Sequence, residues 1–106
     1  MARRKKPKAP SVLLVLPVHN EAPEAPRISK AIRAFLGKNR NIAIRVVDDG
    51  SMDGTAEAFR SGLRGLKHAS VMALPRNGGK GRAVRLGLTG GRQDYWIFMD
   101  GDLAYD

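Results

Sequence analysis

Four short apolar runs punctuate the chain, and three of them end in polar, mostly acidic clusters. Ser11–Leu16 leads into Pro17-Val18-His19-Asn20-Glu21, Ile42–Val47 into Asp48-Asp49-Gly50-Ser51, and Tyr95–Met99 into Asp100-Gly101-Asp102. The fourth, Val71–Leu74, stops at Pro75. All four read as strands, and the continuous β-rich Val12–Leu16 as one buried on both faces. Between them, apolar residues recur at helical spacing. Ile28, Ala31, Ile32, Phe35 and Leu36 precede a stop at Gly37, and Ala56, Phe59, Leu63 and Leu66 follow a turn at Ser51–Thr55 that Asp53 or Ser51 would cap. A short third helix, Ala83–Gly87, follows the glycine-rich loop Asn77–Gly81. Pro17 is expected to end the first strand, and Pro23 and Pro26 to stiffen the loop after it.

The resulting order, β-α-β-α-β-α-β, predicts an α/β fold: a Rossmann-like parallel sheet with alternating helices on both faces. With strand order 3-2-1-4, the chain reverses between strands 1 and 4, and ligands bind beyond the strand ends at such a switch point. All strands then end at one edge. That edge would carry Glu21, Asp48, Asp49, Asp100 and Asp102 together. Carboxylates so crowded repel one another unless a cation or a donor-rich ligand lies among them.

At 106 residues the chain is one small domain. It has no cysteine, which excludes disulfides and thiolate metal sites. The net charge is +9, but Arg3, Arg4, Lys5, Lys6 and Lys8 crowd the first ten residues. With those five of the 19 basic residues set aside, 14 face 10 acidic ones, a net +4. Residues 1–10 therefore read as a disordered basic arm and 11–106 as the folded domain. The arm is either a solubilising tail or a segment attracted to anionic lipid headgroups. Nucleic acid is not expected, because the rest lacks a basic stripe with stacking aromatics. No apolar stretch reaches the length of a membrane span, and no signal-peptide pattern follows the arm.

Asp100-Gly101-Asp102 carries the sharpest chemistry. Two carboxylates two residues apart suit a hard cation, Mg²⁺ or Mn²⁺, shared with phosphate oxygens, and Gly101 admits a diphosphate to the backbone. Either Asp48 or Asp49 is expected to accept from a base or ribose, the other to be structural. Asn77–Gly81 looks like a phosphate cradle, with glycine N–H groups and Lys80, but it is not a Walker A sequence.

Taken together, these segments resemble the nucleotide-binding half of inverting family 2 glycosyltransferases with the GT-A fold. The matching pieces are Leu16–Glu21, Val46–Thr55, Arg76–Ala83 and Met99–Leu103. Within that family the resemblance is to dolichyl- or polyprenyl-phosphate mannosyl- and glucosyltransferases. It implies that Pro17, His19 and Glu21 line the nucleotide pocket, that Asp49 contacts the base with Val47 nearby, and that Lys80, Asp100 and Gly101 adjoin the nucleotide sugar. Asp102, with Asp100, would hold the divalent metal. A UDP- or GDP-sugar would then give its sugar, with inversion, to an acceptor such as a prenyl phosphate. That implies a cytoplasmic protein, peripheral on the inner face of a membrane. Separately, an uncovered edge strand carrying Tyr95, Trp96, Ile97 and Phe98 would invite pairing with a second copy.

Ala104 departs from relatives that carry a polar side chain there. The acceptor half of the family lies beyond the last residue, so no general base can be named and this chain alone is expected to lack turnover. The rivals are a non-catalytic nucleotide-binding or assembly module, a phosphatase with D-x-D chemistry, and a basic nucleic-acid binder. The phosphatase would need its nucleophilic Asp after the first strand rather than the last.

Overall fold

A computed structural model of the chain describes Pro10, residues 12–87 and residues 95–98. Strand β1 (Val12–Val18) is followed by a 3₁₀ turn at Ala22–Glu24 and helix α1 (Ala25–Lys38). Then come β2 (Ile42–Asp48), α2 (Thr55–Gly62), β3 (Ala69–Ala73), α3 (Lys80–Gly87) and β4 (Tyr95–Phe98). The four strands form one parallel sheet in the order β3-β2-β1-β4, the order the sequence predicts.

Side-chain alternation explains why β1 is apolar throughout. Leu14, Leu16 and Val18 face one layer, where they meet Ile44 and Val46 of β2, Ile28 and Ile32 of α1, and Phe59 of α2. Leu13 and Val15 face the other, with Val47 and Ala83 of α3. A central strand covered by helices on both sides has no solvent face to mark with polar residues.

β1 does not end at Pro17; it runs through it to Val18, in register with Val47 and Asp48. The reason lies in the direction of the missing N–H. Even-numbered residues of β1 bond toward β2: Val12 N–H donates to the Asn41 carbonyl at 3.2 Å, and Val18 O accepts from Asp49 N–H at 2.9 Å. Pro17, odd-numbered, turns its nitrogen to the β4 side, where the described pairing stops at Val15 with Phe98. No ladder bond to β2 is lost. Nor do Pro23 and Pro26 stiffen a long loop. Each sits in the first turn of a helical segment, where its missing donor would have had no partner. Helix α1 therefore starts earlier than its apolar spacing suggests, and it passes Gly37 to end at Lys38.

Helices α1 and α2 touch closely. A Cβ on Gly62 would lie 2.3 Å from Ser29 Oγ. Ser29 Oγ is buried and has no hydrogen-bond partner among the described residues. From α1, Arg33 reaches the end of α2 and donates to the carbonyls of Gly62 at 3.0 Å and Arg64 at 3.1 Å. No described helix is long and apolar enough to cross a membrane. Residues 1–9 of the expected arm lie outside the described residues, while Pro10 is buried.

Candidate functional site at the carboxyl edge of the sheet

The ends of β1, β2 and β3 share one edge, and three loops meet there. The first two are joined by a pair of matching bridges. Ser51 Oγ accepts from Asn20 N–H at 2.7 Å and donates its own proton to Asp48 Oδ1. Asp48 Oδ1 also accepts from Ser51 N–H at 3.0 Å. Four residues on, Thr55 Oγ1 accepts from Glu21 N–H at 2.9 Å and donates to Asp53 Oδ1. In each bridge a hydroxyl takes a backbone N–H of the first loop and passes its proton to an aspartate of the second. The segment Asp48-Asp49-Gly50-Ser51-Met52-Asp53-Gly54-Thr55 thus supplies two acid–hydroxyl pairs.

Asp53 gains most from this. The Thr55 hydroxyl, with lesser help from the backbone N–H groups of Ala22 and Thr55, holds its carboxyl below the usual 3.8. The cap expected from Asp53 or Ser51 takes a related form. The residue before α2 is Gly54, with φ of +84°, while Asp53 Oδ1 accepts the Thr55 N–H at 3.1 Å.

The third loop is held by Asp49. Its two carboxylate oxygens accept from Gly78 N–H and Gly79 N–H, each at 2.9 Å, and the residue is only 5% exposed. The N–H groups expected to cradle phosphate are therefore turned onto this side chain. Asp48 and Asp49, two of the five carboxylates expected at this edge, find their donors within the protein and need no cation. Gly50, at φ +71°, brings β2's exit against the third loop. A Cβ there would lie 2.2 Å from both Arg76 C and Asn77 N.

Between the loops lies a cleft of about 370 Å³ lined by His19, Asn20, Gly50, Ser51, Met52, Pro75, Arg76 and Asn77. His19 Nδ1 faces the Asp49 carbonyl at 2.9 Å, which can only accept, so Nδ1 carries the proton. Nε2 accepts from Asn20 Nδ2 at 3.2 Å and Asn77 Nδ2 at 3.3 Å.

Of the site residues expected from sequence, Pro17, Val47 and Asp49 are buried at the strand ends, and His19 lines the cleft. Glu21 is half-buried, its N–H held by Thr55. Lys80 opens α3. Asp100, Gly101 and Asp102, the metal candidates included, lie outside the described residues. Among the described residues no group of three His, Cys, Asp or Glu side chains is placed to hold a metal ion. Sequence reasoning left Asn20, Ser51, Arg76 and Asn77 off the candidate residues. A signal existed for two of them: Asn20 adopts a positive φ of 51°, a conformation Asn tolerates, and Asn77 precedes two glycines.

Residues 13–106 match Glycosyl transferase family 2. The chain is 33% identical over 95 residues to undecaprenyl-phosphate 4-deoxy-4-formamido-L-arabinose transferase of Aeromonas hydrophila, covering 87% of this chain and 29% of that protein. It is 33% identical over 99 residues to dolichyl-phosphate beta-glucosyltransferase of Drosophila melanogaster, covering 86% of this chain and 30% of the relative. Among solved structures it is similar to a mannosyltransferase from Pyrobaculum calidifontis in complex with GDP-Man and Mn²⁺. The TM-score is 0.72 at 24% identity, over 90% of this chain and 28% of that one. The chain thus spans under a third of the length of these relatives. With its sheet order, its edge of aspartate-bearing loops and a match over residues 13–106, the chain belongs to glycosyl transferase family 2.

Proposed function

We propose that this chain is the donor-binding part of a metal-assisted glycosyltransferase that moves a sugar from a nucleoside-diphosphate sugar to a polyprenyl phosphate, with inversion. The observation that carries the reading is the cleft at the carboxyl edge, walled by the same three loops whose sequences resemble the family's nucleotide site. Relatives named for undecaprenyl phosphate and dolichyl phosphate support the acceptor class.

In this reading Pro17, Val47 and Asp49 form the floor under the base, and His19 and Glu21 its wall. Lys80 offsets diphosphate charge. The reading assigns the motif that follows β4, Asp100-Gly101-Asp102, to the same edge as the cleft. The donor set there is carboxylate oxygen, suited to Mg²⁺ or Mn²⁺, and Asp102 with Asp100 would hold the ion. When bound, the ion neutralises charge growing on the leaving nucleoside diphosphate. The anomeric carbon gains a bond to an acceptor phosphate oxygen, and its bond to the diphosphate oxygen breaks, that oxygen keeping the electron pair. A phosphate acceptor is already ionised, so no general base is required for it.

The basic arm, residues 1–10, and the domain, 11–106, are proposed as separate units, the arm favouring an anionic membrane surface. Calorimetric titration with UDP and GDP, with and without Mn²⁺, tests the donor site. Metal-dependent binding is expected on this chain and its loss on Asp102→Ala; a folded chain that binds neither nucleotide refutes the reading. The chain alone is expected to bind without turnover. Transfer of labelled sugar to a prenyl phosphate by these 106 residues would contradict that last point.

A further inference from the structure

Among the described residues, acids stand at one end of the molecule only. Glu21, Glu24, Asp48, Asp49, Asp53 and Glu57 occupy the segment after β1, the exit of β2 and the first turn of α2. The opposite end of the sheet has bases without acids. There the end of α1 and the turns into β2 and β3 carry Lys38, Arg40, Arg64 and Lys67.

At this amino end a concavity of about 220 Å³ opens on the face of the sheet that α3 covers. It is open because α3 is short. Eight helical residues span about 12 Å, whereas the seven residues of β1 span about 23 Å. Leu13 and Ala43 form an apolar floor, and Arg45, Lys67, His68 and Ser70 ring it. Arg45 and Ser70 are register partners on β2 and β3, so their side chains share this face. Arg45 keeps an interaction of its own within the protein. Lys67 is exposed and His68 half-buried, and no ion pair among the described residues engages either. The exposed Ser70 hydroxyl adds a donor.

The chain also enters the folded domain at this point. Buried Pro10 lines the same concavity, and Lys8 precedes it by two residues, about 7 Å of chain at most. The five cations of the arm are thus tethered to this end of the sheet.

Fixed cations, a hydroxyl and an imidazole around one hollow, with no carboxylate among them, suit a phosphate group, which takes charge-assisted hydrogen bonds from such donors. We propose that Lys67, His68 and Ser70, beside Arg45, form a second anion site for a phosphate group, carried by an anionic lipid headgroup or by a soluble phosphate. Leu13 on its floor and His19 in the nucleotide cleft are six residues apart, about 20 Å of strand, so the two sites are separate. The phosphate site stands whether or not the cleft binds a nucleotide.

The test uses amide NMR of the native chain, titrated with inorganic phosphate and pyrophosphate at constant ionic strength without divalent metal. Signals of Ala43 and of Lys67 to Ser70 are expected to move. A chain carrying both Lys67→Gln and His68→Gln, still folded by circular dichroism, is expected to bind about tenfold more weakly. Co-sedimentation with phosphatidylglycerol vesicles, against phosphatidylcholine alone, reads the other source. There the double variant, its arm intact, is expected to lose about fivefold in affinity. Loss in the first assay alone assigns a soluble phosphate, and loss in the second assigns a headgroup. Signals that move only at Gly78 and Gly79, or a double variant that matches the native chain in both assays, overturns the site and leaves the nucleotide cleft untouched.

Discussion

At the scale of single residues, this site is governed by who satisfies each buried acceptor. Thr55 is fully buried, and its hydroxyl both accepts from Glu21 N–H and donates to Asp53. Thr55→Val keeps the shape and removes both bonds, leaving Glu21 N–H without its acceptor. A loss of about 1–3 kcal/mol is expected in urea unfolding. Gly50→Ala should cost more, about 3 kcal/mol or above, because φ is +71° and the new Cβ meets backbone that cannot rotate away. Asp53 supplies a pH signature. Its folded carboxyl titrates below 3.8, so its contribution is fully present above that value and is lost as pH falls through the folded pKa. The gap in unfolding midpoint between the native chain and Asp53→Asn should be widest at neutral pH and close below 3.8. A gap that persists unchanged in acid would mean the Asp53 charge is not its source.

At the scale of elements, the contact of α1 with α2 holds two opposite lessons. Arg33 bonds two terminal carbonyls of the α2 end at once, so Arg33→Ala should cost about 1 kcal/mol, the charge being exposed and screened. Ser29→Ala should be neutral or stabilising, since it removes a buried hydroxyl that has no partner among the described residues. Gly62→Ala, by contrast, should destabilise by about 2 kcal/mol or more, the added methyl overlapping Ser29. Both effects are read in the same urea titration.

β1 and β2 were legible as short apolar runs punctuated by acidic turns, and the order as the common one for alternating strands and helices; β3, half-exposed at the sheet edge, runs over Ala69–Ala73 and so starts two residues before the expected Val71. The extension of β1 through Pro17 was not legible, because the direction in which its missing N–H points depends on which neighbour lies on which side. The early start of α1 was hidden for a related reason: a proline reads as a loop former until it is known to stand in the first helical turn. At the site, His19 and Asp49 stood out as residue types, but the partners that set their roles did not. Asp49 is satisfied by residues 29 and 30 positions further on, a distance no local pattern spans.

At the scale of the whole molecule, the edge of the sheet is a shared product of three loops, and none of them could hold its shape alone. Asn20 leans on Ser51 across 31 positions, Gly78 on Asp49 across 29, and Asn77 on His19 across 58. The first and second loops are joined by hydroxyl bridges and the second and third by a carboxylate. On a ribosome this has a timing consequence. The β1 loop emerges early and has no partner for its N–H groups until Ser51 and Thr55 follow. The cleft has no third wall until residues 75–79 have left the exit tunnel and β3 has paired. A nascent chain stalled at residue 70 would carry His19, Asn20 and Asp49 and yet have no cavity for a nucleotide to enter.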